Sequence, residues 1–110
     1  MIHMLSRFDL KPGVSIEAFS QEYSTLVEQM RAKGLVSSTG QIGRREADTP
    51  MDTDADDAPE YYVVMSFADR EQLDRSYAYL TDTSANQATS HPAVNRSVTN
   101  HVFTCWQDLD

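Results

Sequence analysis

His3 and Arg7 stand four residues apart in the opening stretch Ile2 to Leu10. In an extended strand successive side chains point to opposite faces, so residues i and i+4 project from the same side. A histidine moves protons near neutral pH, and an arginine holds an enolate or carboxylate through its fork of N–H donors. Tyr62 and Ser66 repeat the same spacing on the β-favouring run that begins Tyr61-Tyr62-Val63-Val64-Met65. If the two strands are neighbours and these faces coincide, the four residues form a polar end to an otherwise apolar pocket. His3, Arg7 and Tyr62 are then the candidate catalytic groups, and Ser66 is a substrate-binding one. The competing reading gives His3 and Arg7 structural bonds at a dimer interface.

A second set lies near the end of the chain. His91 precedes Pro92 where a short helix opens, and Asn95 follows one turn later. Both could close a pocket mouth as substrate-binding residues, with Trp106 of the last strand adding apolar surface; a water-exposed helix start is the plainer reading. His101 reads as a surface histidine at a strand end. Asp52-x-Asp54-x-Asp56 has the start of a calcium loop, but Asp57 and Val63 stand where that loop needs Gly and Glu. A solvated acidic loop is therefore expected, with no metal. Cys105 has no second cysteine and reads as packing. No phosphate loop, dinucleotide fingerprint, HExxH or nucleophile elbow occurs, so no cofactor is expected.

The elements that must position these residues follow from periodicity. Ile2, Met4 and Phe8 alternate with His3, Leu5 and Arg7, and apolar residues on both sides imply two partly buried faces. Lys11-Pro12-Gly13 ends the strand by turn chemistry. Ser15 is a natural N-cap, and Ile16, Phe19, Tyr23, Leu26, Val27 and Met30 form one helical stripe ending at Gly34. Leu35 to Glu46 reads as a long strand, with Gly40 and Gly43 marking bulges or bends. Ala47 to Pro59 is polar and acidic, and reads as an exposed, mobile excursion. After the Tyr61 run, read as a central strand covered on both faces, Asp69 caps a helix with Gln72 in capping-box position and Leu73, Tyr77 and Leu80 as its stripe. Tyr77 and Tyr79 read as its half-buried face. Thr81 to Ser90 is turn-like, a short helix runs from His91 to about Val98, and Val102, Phe103, Cys105 and Trp106 make the last strand.

That order, β-α-β-β-α-β, makes an α+β, ferredoxin-like unit with a four-stranded antiparallel sheet and both helices on one face. The other face would expose Leu5, Tyr62, Val64 and either Phe103 or Trp106. Such a patch marks an interface, and a two-fold homodimer packed through the sheet face is the simplest cover. The expected faces are sharp, because a one-residue slip reverses every side chain: His3, Arg7, Tyr62 and Ser66 on the open side, Val63, Met65 and Phe67 with Ile2, Met4 and Phe8 against the helices.

The chain's 110 residues fit one domain, 1–110, with a modest core. Its net charge is −8, and Glu46, Asp48, Asp52, Asp54, Asp56, Asp57 and Glu60 supply −7 of it with no basic residue among them. The remainder is near neutral, so there is no basic face for nucleic acid or anionic membrane. A single cysteine and no apolar leader or membrane-length segment suggest a cytoplasmic protein.

Phe8-Asp9-Leu10-Lys11-Pro12-Gly13-Val14-Ser15 resembles the first strand–helix junction of the dimeric α/β-barrel superfamily. Tyr62-Val63-Val64-Met65-Ser66-Phe67-Ala68-Asp69 resembles its third strand and second helix start, and His91-Pro92-Ala93-Val94 with Val102-Phe103-Thr104-Cys105-Trp106 its closing segment. The superfamily includes antibiotic-biosynthesis-type monooxygenases and stress-responsive A/B-barrel proteins. The resemblance covers most of the chain and implies a dimeric α/β barrel. Two departures narrow it. Val94 stands where several relatives carry the second histidine of a His-Pro-x-His segment. The heme-degrading members use an Asn, Trp and His set with Trp on the third strand, where this chain has Tyr61 and Tyr62. Two functional classes remain: a barrel that binds a small, largely apolar organic molecule, with monooxygenase- or isomerase-like activity and no cofactor, or a non-catalytic stress-responsive or structural dimeric module with a filled barrel.

Overall fold

The computed structural model describes residues 1–54, 58–82 and 91–109. Chain order is β1 (Ile2–Leu10), α1 (Ile16–Ala32), β2 (Ser38–Thr39), β3 (Gly43–Arg44), β4 (Tyr61–Phe67), α2 (Arg70–Thr81), α3 (His91–Ser97) and β5 (Val98–Gln107). The sheet is antiparallel, in the order β2-β4-β1-β5, and β3 also pairs with β4. This is a ferredoxin-like α+β fold. The expected four strands become five because the second is interrupted. Thr39 pairs with Met65 and Gly43 with Tyr62, so four steps on one strand oppose three on the other. That one-residue excess is a bulge; Gly40 N–H still donates to the Val64 carbonyl at 2.9 Å across it.

Local chemistry sets the helix ends as expected. Ser15 Oγ accepts from Ala18 N–H at 3.1 Å. Gly34 takes the left-handed φ of 70° that stops α1, and Leu35 N–H donates to the Met30 carbonyl at 2.9 Å. Asp69 Oδ1 accepts from Gln72 N–H at 2.8 Å, while Gln72 Oε1 reaches back to Ala68 N–H at 2.7 Å. Gln72 Nε2 also donates to the Gly34 carbonyl at 3.1 Å, tying the end of α1 to the start of α2.

Phe19, Tyr23, Leu26, Val27 and Met30 of α1 bury against Phe8, Val63, Met65 and Phe67 of the sheet. The Phe8 ring lies 5.0 Å from Phe19 and 5.9 Å from Tyr61. The stripe on α2 departs from its periodic reading. Leu73, Tyr79 and Leu80 pack on the core and Ser76 is buried, whereas Tyr77 points outward. The small Ser76 lets the backbone approach where a tyrosine would not fit.

The helical layer leaves the other sheet face open, so β4 is covered on one side only: Tyr62 is 45% exposed beside the buried Val63 and Met65. Along β5, Phe103 and Trp106 are both exposed. Phe103 pairs with Ser6 on the helix side and Trp106 pairs with His3 on the open side, so Trp106 is the residue that joins the open apolar patch. Cys105 is also exposed instead of packed, lining a surface cleft with Arg70 and Leu73 of α2. Among the described residues no helix is long and apolar enough to cross a membrane.

The acidic stretch is partly engaged: Asp52 and Asp54 both approach Arg45. Its residues 55–57, which include Asp56 of the calcium-like pattern, lie outside the described residues, as do residues 83–90 of the turn-like stretch.

Candidate functional site

Directly opposed residues in an antiparallel pair share a face. His3 opposes Ser66 and Arg7 opposes Tyr62 on β4, while His3 opposes Trp106 and Arg7 opposes Val102 on β5. The open face therefore carries His3, Leu5 and Arg7 in the middle, Tyr62, Val64 and Ser66 on one side, and Val102, Thr104 and Trp106 on the other. This is the expected register. Its polar groups collect at two ends, with Leu5, Val64 and Thr104 between them. Four residues of strand separate His3 from Arg7 by about 13 Å, so the two do not meet.

At the first end, His3 Nδ1 lies 2.7 Å from Ser66 Oγ and His3 Nε2 lies 2.9 Å from Asp108 Oδ1. Ser66 is buried, His3 partly exposed and Asp108 exposed. An ionised carboxylate only accepts, so Nε2 carries the proton donated to Asp108. In the neutral ring Nδ1 is then a base that accepts the Ser66 hydroxyl proton. If a second proton binds, it resides on Nδ1 and the resulting imidazolium is held by Asp108. Asp108 is itself set by its N–H, which donates to the Met1 carbonyl at 3.0 Å. Trp106 borders this end, its ring 65% exposed and its Nε1–H donating to Thr104 Oγ1 at 3.3 Å.

At the second end, Arg7 Nη1 is 3.9 Å from Asp54 Oδ2. Among the described residues the buried Arg7 Nε–H has no acceptor. Asp54 also takes a two-pronged pair from Arg45, at 2.9 and 2.5 Å. The Arg45 guanidinium holds the Asp54 carboxyl below the ordinary carboxylate range, against partial desolvation. The Tyr62 ring lies over Gly43, where an added Cβ would fall inside the ring's van der Waals envelope. Gly43 thus sets where Tyr62 rests.

Asp9, at the same edge of the open face, joins three strands. Its Oδ1 accepts from Glu60 N–H at 2.8 Å and its Oδ2 from Asn100 Nδ2 at 3.0 Å. Asn100 takes a left-handed φ of 51° where the β1–β5 register shifts.

His91 and Asn95 lie elsewhere. They belong to α3, which packs on α1 in the helical layer, with Val94 against the core. Burial pushes the His91 imidazole below its ordinary value of 6.5. His101 is exposed beside Phe103, with ring centroids 5.3 Å apart.

Strand alternation places His3, Ser66, Arg7 and Tyr62 on this face from the sequence, and the β1–β5 register decides for Trp106 over Phe103. The sequence reading missed Asp108, Arg45 and the engagement of Asp54. A usable signal existed for Asp108: an antiparallel last strand that brings Trp106 beside His3 returns the next acid to the same end.

The fold is shared with solved structures of low sequence identity. A protein of Arabidopsis thaliana, At3g17210, superposes with a TM-score of 0.72 at 12% identity, covering 100% of this chain and 97% of the other. SnoaB, a cofactor-independent oxygenase from Streptomyces nogalater, gives 0.67 at 9% identity, covering 99% and 93%. A dimeric ferredoxin-like protein of unknown function from Jannaschia sp. CCS1 gives 0.64 at 11% identity, covering 97% and 98%. SnoaB and the Jannaschia protein are described as kinds of protein that the resemblance implies, and all three share the fold. No curated protein matches the chain. The model of a family of unknown function, DUF6614, matches residues 1–109, and the chain belongs to that family.

Proposed function

We propose that two copies of the chain pair through their open sheet faces and enclose a pocket for a small, largely apolar organic molecule, on which His3 acts as a base. The observation that carries this reading is the hydrogen-bonded run Ser66–His3–Asp108 at the border of an apolar face. An exposed patch of Leu5, Tyr62, Val64, Val102 and Trp106 needs a cover. The description of the Jannaschia protein as dimeric supports a second copy as that cover.

In the pocket, a ligand O–H or acidic C–H takes the place of the Ser66 hydroxyl at Nδ1. Its proton passes to Nδ1, the imidazolium is held by Asp108, and the ligand is left as an enolate or carbanion. Exclusion of water by the paired faces strengthens each of these electrostatic contacts. Such an anion is the species that a monooxygenase- or isomerase-like reaction begins from, and the description of SnoaB as a cofactor-independent oxygenase supports that chemistry. Arg7 and Tyr62 hold the ligand's far end. The bulk of Trp106 and Tyr62 favours a second reading, in which the paired faces fill the interior and the protein is a non-catalytic dimeric module.

Exchange of the C1 hydrogens of 2-tetralone with deuterated water, followed by proton NMR, separates the two. The native protein should accelerate exchange above buffer. His3→Ala should abolish the acceleration while leaving the dimer and its melting temperature nearly intact. Unfolding of His3→Ala would make His3 structural, and no acceleration by the native protein would favour the filled module.

A further inference from the structure

We infer that Arg7 and Arg45 form a carboxylate-binding site at the Tyr62 end of the open face, that Asp54 fills it from within the chain, and that the ligand is an apolar acid whose carboxylate displaces Asp54. The inference rests on the pocket reading above and names the substrate class that the pocket would take.

The donor arrangement argues for it. A guanidinium offers five N–H donors in a rigid fork suited to a planar carboxylate. Arg45 uses two of its donors on Asp54. Arg7 reaches Asp54 only at 3.9 Å, and its buried Nε–H has no acceptor among the described residues. A buried donor without a partner is costly, so the Arg7 fork is incompletely used by the carboxylate now beside it.

The charges balance in a way that selects a monoanion. Arg7 and Arg45 face Asp54 and Asp52, whose Oδ1 lies 3.7 Å from Arg45 Nη2. Asp52 is fixed locally, because its Oδ2 accepts from the Thr49 hydroxyl at 3.1 Å and from Thr49 N–H. A ligand carboxylate exchanged for the Asp54 carboxylate leaves the local charge unchanged, so a monoanion is the matching ligand.

Asp54 can withdraw without unpacking the core. Its carboxylate is 43% exposed, and Met51, the nearby large apolar side chain, is 88% exposed and anchors nothing. Its two-pronged pair with Arg45 is strong, so a ligand carboxylate must replace that fork with an equivalent one and not merely break an exposed pair. A ligand carboxylate would add contact between its apolar body and the Tyr62 ring, which Asp54 cannot offer. With its carboxylate between the arginines, a molecule spanning the open face, about 13 Å from Arg7 to His3, would present its other end to the Ser66–His3–Asp108 run.

Isothermal titration calorimetry with 2-naphthoate and its neutral isostere 2-naphthamide tests the site on the native full chain. Native protein should prefer 2-naphthoate. Asp54→Ala should tighten 2-naphthoate by about fivefold, as expected for removal of a surface ion-pair competitor, and leave 2-naphthamide unchanged. Arg7→Gln should weaken 2-naphthoate by about tenfold or more, again without moving 2-naphthamide. Equal binding of the two compounds, insensitive to both substitutions, would overturn the carboxylate site while leaving the pocket standing. Binding of neither compound would overturn the site together with the pocket.

Discussion

Replacing Asp9 by alanine should loosen three strands at once. Its carboxylate accepts from Glu60 N–H at 2.8 Å, just before β4, and from Asn100 Nδ2 at 3.0 Å, in the left-handed kink of β5. Hydrogen bonds to a charged acceptor are worth about 1.5–3 kcal/mol each when buried, but both here are partly wet, so the pair should contribute about 2 kcal/mol together. For a domain of this size that is a fall in melting temperature of about 8 °C. Asp9→Asn retains one carbonyl acceptor for Glu60 N–H and should lose about half as much. Urea unfolding followed by circular dichroism and by Trp106 fluorescence, at one fixed protein concentration, reads both variants. The concentration must be fixed because the proposed pairing of two copies would contribute to apparent stability. An Asp9→Ala loss below about 0.5 kcal/mol, the range of an ordinary surface substitution, would refute the role of Asp9 as the tie between strands.

Two further predictions concern the site and the helical layer. Gly43→Ala should push the Tyr62 ring off its resting place at a stability cost of about 1 kcal/mol or less, since a half-exposed ring can change rotamer; unchanged Tyr62 ring resonances would contradict this. Burial holds the His91 pKa below 6.5, so the unfolded chain binds its proton more readily than the folded one. Its contribution should be full above about pH 6.5 and should fall as pH drops through and below that value, and His91→Gln should flatten the fall in melting temperature between about pH 7 and pH 5. An identical pH slope in the variant would contradict it.

Much of this architecture is legible in the chain because the periodicities are local. The α1 stripe from Phe19 to Met30, the Ser15 cap and the Gly34 stop each depend on residues within a few positions of one another. The open-face assignment of His3, Arg7, Tyr62 and Ser66 followed from strand alternation alone, and cross-strand pairing carries it to Trp106. The failures have tertiary causes. Asp108 lies 105 residues from His3, and only the closing of β5 on β1 brings them together. An irregularity at Gly40 and Gly43 is legible, but its splitting of one expected strand into two is set by pairing to β4, which must absorb an extra residue. Tyr77 sits at a helical position that its spacing assigns inward, yet the close approach at Ser76 turns it out. His91 and Asn95 read as pocket residues from their place before the last strand, and packing of α3 on α1 puts them in the helical layer instead.

Sedimentation velocity on the native chain and on Trp106→Asp decides whether two copies meet through the open sheet face. Trp106 is 65% exposed in the single chain, so the substitution leaves the core untouched and places a charge within the proposed contact. The native protein should sediment at twice the chain mass of 12.4 kDa, and Trp106→Asp at the single-chain mass with its circular dichroism spectrum preserved. A native protein that sediments as a single chain at micromolar concentration, or a Trp106→Asp variant that remains a dimer, would contradict the proposed contact.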